Sequence, residues 1–166
     1  AIALLNTMSG TDKVVYVDGT VRFDAPIKSD SLTQWHRFEE NTTPITIQGI
    51  NSGKIVFPAR PVIFSGDLTF KDITLRTTGD TTLCAAGHNV VMGDNVTGEG
   101  DFRLVSATSY DVEAPNDGVF TSPNEITMNS GYMSEVFLGT AHTFKTIEIP
   151  GVTFTLNGGE VDRIRM

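Results

Sequence analysis

Trp35-His36-Arg37 sets the chain's only tryptophan beside a histidine and a guanidinium. An aromatic face stacks on a sugar ring, and Arg grips a carboxylate through two parallel hydrogen bonds. Trp35, His36 and Arg37 are therefore candidate glycan-binding residues. The alternative is a segment flanking the fold with Trp35 and Phe38 buried. Tyr110, Asp111 and Glu113 form a second polar-aromatic cluster, read either as a ligand contact or as a solvated turn. His36, His88 and His142 are the only histidines. No nucleophile-elbow motif accompanies them, and the chain has no His-x-His, His-Glu-x-x-His or EF-hand pattern. They read as surface or turn residues. The single cysteine, Cys84, lies in Leu-Cys-Ala-Ala and reads as a small core residue rather than a nucleophile.

Composition narrows the partners. Lys and Arg number 12 against 20 Asp and Glu, a net charge of −8. A nucleic-acid backbone demands clustered cations, and so does an anionic membrane surface, so neither is expected as partner. An acidic polysaccharide stays open through a local basic patch or bridging calcium. One cysteine allows no internal disulfide and no thiolate metal site. No run reaches the ~20 apolar residues of a spanning helix. The 166 residues suit one domain. Without an initiator Met, and with a repeat running into Met166, the chain is expected to be a fragment of a longer protein.

The elements that would position these residues are short strands. Val14–Val17, Ile45–Ile47, Ile55–Phe57, Leu68–Phe70, Val90–Met92, Phe102–Leu104, Ile126–Met128, Ile147–Ile149 and Phe154–Leu156 alternate or run apolar, with Gly, Asn and Asp between them. Those three residue types tolerate positive φ and mark corners. One unit recurs at a spacing of 28 residues. Ile126-Thr127-Met128-Asn129-Ser130-Gly131 matches Phe154-Thr155-Leu156-Asn157-Gly158-Gly159, and Met133, Val136 and Leu138 match Val161, Ile164 and Met166. A strand-turn-strand unit repeated at this length points to stacked coils rather than hairpins. The expected fold is all-β, a single right-handed parallel β-helix over 1–166 with excursion loops at 31–43 and 105–125. Ser31-Leu32-Thr33-Gln34 fits a capping box, so a short helix is expected near 31–39. In the repeat, Asn129 and Asn157 would form a ladder inside a corner, satisfying backbone groups, with Gly131 and Gly159 turning the chain.

Ile45-Thr46-Ile47-Gln48-Gly49, Gly66-Asp67-Leu68-Thr69-Phe70-Lys71-Asp72-Ile73-Thr74-Leu75 and Asn89-Val90-Val91-Met92-Gly93-Asp94-Asn95-Val96 resemble successive coils of pectate-lyase-like right-handed parallel β-helix modules. Such modules occur in large exported and cell-surface proteins of Gram-positive bacteria. The resemblance covers most of 44–166. It implies an extracellular or cell-surface protein, but the fold serves enzymes, adhesins and spacers alike. Polygalacturonase-like relatives carry an Asp-Asp pair and Gly-His-Gly; here Gly87-His88-Asn89 departs from the latter and no Asp-Asp pair exists. Pectate lyases hold calcium on an aspartate cluster. Asp67, Asp72, Asp80 and Asp94 read instead as corner residues. The expected function is a non-catalytic module for adhesion, glycan binding or spacing, with a polysaccharide or a host or cell-surface protein as partner and no cofactor beyond calcium. The alternatives are a polysaccharide lyase or hydrolase with an incomplete site, and a structural unit that associates end to end.

Overall fold

A computed structural model of the chain describes residues 7, 9–11, 13–23, 27–30, 33–37, 41, 43–59, 62–64, 66–85, 87–107, 125–140 and 152–165. In chain order the strands are β1 (Lys13–Arg22), β2 (Ile27–Asp30), β3 (Thr33–Arg37), β4 (Ile45–Phe57), β5 (Val62–Ile63), β6 (Leu68–Lys71), β7 (Thr74–Thr77), β8 (Thr81–Cys84) and β9 (Val90–Met92). They continue with β10 (Thr97–Glu99), β11 (Phe102–Ala107), β12 (Glu125–Met128), β13 (Tyr132–Met133), β14 (Glu135–Thr140), β15 (Thr153–Leu156), β16 (Glu160–Val161) and β17 (Ile164–Arg165). The described chain is all-β, without a helix.

Nearly every pairing is parallel, in curled sheets. The first ladder runs β1–β4–β6–β9–β12–β15. A second takes the later halves of β1 and β4, then β7 and β10. The third runs β3–β5–β8–β11–β14–β17. A short pair, β13–β16, stands apart. Parallel neighbours need long connections, and here strands of the other ladders supply them. The chain visits the ladders in a repeating order: β6, β7, β8, then β9, β10, β11. Residue spacing in the last two rounds follows the sequence repeat, with Ile126 opposite Phe154, Tyr132 opposite Glu160 and Val136 opposite Ile164.

The expected helix near 31–39 is not formed over Thr33–Arg37, which is strand β3. Its backbone pairs with β2 antiparallel, the one such pairing among the described residues, and with β5 parallel. A helix this short is marginal in water, and pairing with β5 and β2 offers the same segment backbone partners that isolated helical turns lack.

Registered columns of apolar side chains fill the interior. Ile45, Leu68, Val90 and Ile126 make one, and Ile47, Phe70, Met92 and Met128 the next; all are buried. The third ladder contributes Val62, Leu83, Leu104 and Val136. Phe57 meets Phe102 edge-on, with centroids 6.0 Å apart. Burying each such side chain contributes about 1.5–3 kcal/mol, so the interdigitated columns hold the ladders together.

The turn that leaves the first ladder falls at the same place each round. It carries positive φ at Gly19, Asn51, Asp72, Asn95, Gly131 and Gly159. A side chain at Gly159 would place Cβ 2.6 Å from the Gly131 carbonyl, so successive rounds touch through bare backbone there.

Candidate functional site

The residues singled out for binding are not brought to one place among the described residues. Trp35, His36 and Arg37 lie on β3, where His36 is opposite Val62, Arg37 opposite Ile63 and Trp35 opposite Lys28. Their side chains lie outside the described set, as do Tyr110, Asp111, Glu113 and His142. The excursion expected at 105–125 is described only at its ends, where 105–107 belong to β11 and Glu125 opens β12.

Cys84 is fully buried, and desolvation pushes its thiol up to about 12. A thiol that keeps its proton is no nucleophile at neutral pH. His88 is half-buried, with Nδ1 3.9 Å from Asp67 Oδ1. The four aspartates occupy corners or turns. Asp67 accepts the Asn89 backbone N–H at 2.8 Å and the Asn89 amide at 3.2 Å. Asp72 sits at φ 51° and accepts from Gln48 Nε2 and Asn95 Nδ2, both at 2.8 Å. The Asn95 bond leads in holding the Asp72 carboxyl below the ordinary aspartate range, with the Gln48 bond and Lys71 adding to it against partial desolvation. Asp80 and Asp94 are exposed. Among the described residues no three of His, Cys, Asp and Glu gather around a point that fits a metal ion.

Asn157 Nδ2 donates to Asn129 Oδ1 at 2.9 Å. Both residues are exposed and their amides bond to one another, not inward to backbone as the sequence suggests. Gly131 and Gly159 follow, at φ 98° and 88°. Asn41-Thr42-Thr43 and Asn95-Val96-Thr97 fit the Asn-x-Thr glycosylation pattern; Asn41 is buried and donates to the Thr43 and Asp67 carbonyls, each at 3.0 Å. Asn95 is exposed, with its amide on Asp72.

Polar side chains thus bond along the stack, round to round. On the second ladder Lys54 meets Glu99 at 3.1 Å, and Arg76 approaches Glu99 at 3.8 Å. Thr74 and Thr97 hydroxyls are 2.9 Å apart. On the first ladder one outward row registers Val14, Thr46, Thr69, Val91, Thr127 and Thr155. Strands stack about 4.8 Å apart, so this β-branched row offers hydroxyls and methyls at a regular pitch. Beside it run Tyr16, Gln48 and Lys71, with Asn129 and Asn157 further along. These donors and acceptors are spread along the ladder and do not converge on one point.

Sequence reading misses the Asp67–Asn89 and Asp72–Asn95 bonds and the threonine row. Setting Asp67-Leu68-Thr69-Phe70 against Asn89-Val90-Val91-Met92 aligns Asp67 with Asn89 and Thr69 with Val91, whereas Asp72 and Asn95 lie one residue out of that register. No family model, no curated protein and no solved structure matches the chain.

Proposed function

We propose that the ladders close into a right-handed parallel β-helix of the pectate-lyase-like kind, and that the domain is a non-catalytic, glycan-binding module of an exported bacterial surface protein. The repeating order of strands, the left-handed corner at the same step of every round and the 28-residue register support the closed helix. One observation carries the functional reading: described polar side chains pair along the stack, from Asp67–Asn89 to Asn129–Asn157, and leave a threonine-bearing row along the first ladder instead of a convergent cluster. A face of this kind recognises an extended polymer by many modest hydrogen bonds rather than by one deep pocket. Trp35 and Arg37 on β3, and Tyr110, are the side chains to test for stacking and ion pairing with sugars.

Affinity electrophoresis through gels carrying plant, mucin and bacterial glycans, with and without calcium, tests the reading. Retardation by one polymer, lost in Trp35→Ala or in Thr69→Lys while cooperative unfolding persists, supports it. Free migration through every polymer overturns glycan binding and leaves a spacer or protein-binding module. Unsaturated product released from pectins in the presence of calcium overturns the non-catalytic reading.

A further inference from the structure

A glycan carrying negative charge meets repulsion from a chain whose net charge is −8. A local cation without an acidic partner offsets it. Most described cations are already engaged. Lys54 and Arg76 share Glu99, and Arg163 and Arg165 share Glu135. Lys13 is buried, Arg22 lies on the second ladder and Arg103 on the third. Lys71 differs from all of these. It takes an outward position at the end of β6, opposite Gln48, and forms no ion pair among the described residues. The adjacent Asp72 is held by Gln48 and Asn95, which donate to its two carboxylate oxygens. Strands β4 and β6 are each paired on both sides, so Gln48 and Lys71 belong to the middle of the stack.

Tyr16 stands in the same outward column, one strand beyond Gln48, with its side chain 61% exposed. Its outward direction comes from the pleat, so a further round stacked on β1 would lengthen this face without covering it. In the adjoining column the Thr46 and Thr69 hydroxyls bond to no described protein group, whereas those of Thr74 and Thr97 on the second ladder bond to each other. Tyr16 and Lys71 are two strand spacings apart, about 10 Å, which is the scale of two linked sugar rings.

We propose that Tyr16, Gln48 and Lys71 form a subsite for an acidic glycan running along the stack. Tyr16 stacks on one sugar ring, and the Lys71 ammonium takes an oxyanion, carboxylate or sulfate, on the neighbouring unit. This rests on the glycan-binding reading above and adds the charge of the ligand to it. The ammonium holds the anion directly, so calcium, which serves the lyases that the sequence resembles, plays no part at this subsite.

Dextran, carboxymethyl dextran and dextran sulfate share one backbone and differ in charge. Frontal affinity chromatography of the 166-residue chain on matrices carrying each, with chelator present, tests the inference. The expected result is stronger retention by a charged polymer than by dextran, fading as salt rises. The tighter of the two charged polymers identifies the anion. Lys71→Gln weakens that retention about tenfold, and Lys71→Arg keeps most of it. Lys54→Gln changes the net charge equally but removes a cation paired to Glu99, and leaves retention unchanged. Tyr16→Ala weakens binding and Tyr16→Phe does not, with thermal melting unaltered in every variant. Equal retention on all three matrices overturns the proposal, as does an equal loss in Lys71→Gln and Lys54→Gln. The panel of glycans above separates the two readings. A neutral polymer that retards the chain while both charged dextrans let it pass leaves glycan binding standing and overturns the acidic subsite; free passage through every polymer overturns both.

Discussion

Two strands with nearly the same sequence live in different surroundings. Ile126-Thr127-Met128-Asn129 lies between β9 and β15, and its Ile and Met are fully buried. Phe154-Thr155-Leu156-Asn157 pairs with β12 alone among the described residues; its Phe is half-buried and its Leu 46% exposed. The alternation that turns Met128 inward turns Leu156 inward too. Direction comes from the pleat, but the energy of pointing inward comes from what stacks above and below.

The sharpest break in that comparison is side-chain truncation. Met128→Ala should cost about 2–5 kcal/mol, because the cavity it leaves is closed on both sides. Leu156→Ala should cost under about 1 kcal/mol, since little burial is lost. Urea unfolding of both variants checks it, and equal losses would mean the last round is covered. The glycines come next. Gly131→Ala puts a Cβ into the left-handed region beside Val96 and should cost about 1–2 kcal/mol. Gly159→Ala brings Cβ against the Gly131 carbonyl as well, but the last round can yield. Its cost is expected to be the smaller of the two by thermal melting, although its local clash is the worse.

A smaller effect separates the corners by pH. Asp72 is held below its ordinary value by Asn95 and Gln48, so the folded state favours its charged form. That contribution is present above the unfolded aspartate value and fades as pH falls through it toward the folded one. Melting temperature should therefore drop below about pH 4, and the drop should be shallower in Asp72→Asn. The Asn129–Asn157 corner has no titrating group in its amide pair and should add nothing to this slope. The smallest effect is expected at that pair: Asn157→Ala removes one exposed hydrogen bond, worth about 0.5 kcal/mol. A loss several times larger, read from urea midpoints, would mean the amides are sheltered.

Much of the first ladder is legible in the residue order. Its strands alternate, so Ile45–Ile47, Leu68–Phe70, Val90–Met92 and Ile126–Met128 announce themselves with corner residues on either side. The third ladder is harder to read. Phe102–Leu104 alternates, but both faces are buried at Leu83 and Cys84 in β8 and at Leu104 and Val105 in β11, so the period-2 signal breaks there. Strand β3 mimics a helix in sequence because Leu32, Trp35 and Phe38 fit one helical face, and only the register with Val62 reveals the extended pairing. The candidate site is less legible than the fold. Residue type places the aspartates at turns, but which amide meets which carboxylate depends on strands more than twenty residues apart.

Residue order by itself determined the composition of the core, the positions of the corners and the spacing of the last two rounds. Each of these is local: alternation follows from the pleat, positive φ from Gly, Asn and Asp, and the repeat from two stretches whose side chains match one for one. Tertiary structure alone decided which strands pair, that Lys13 is buried on β1 while Leu156 and Ile164 are exposed on β15 and β17, and that Asn129 and Asn157 join at the surface. Burial and hydrogen bonding are properties of neighbours, and in a parallel stack every neighbour arrives from another round of the chain.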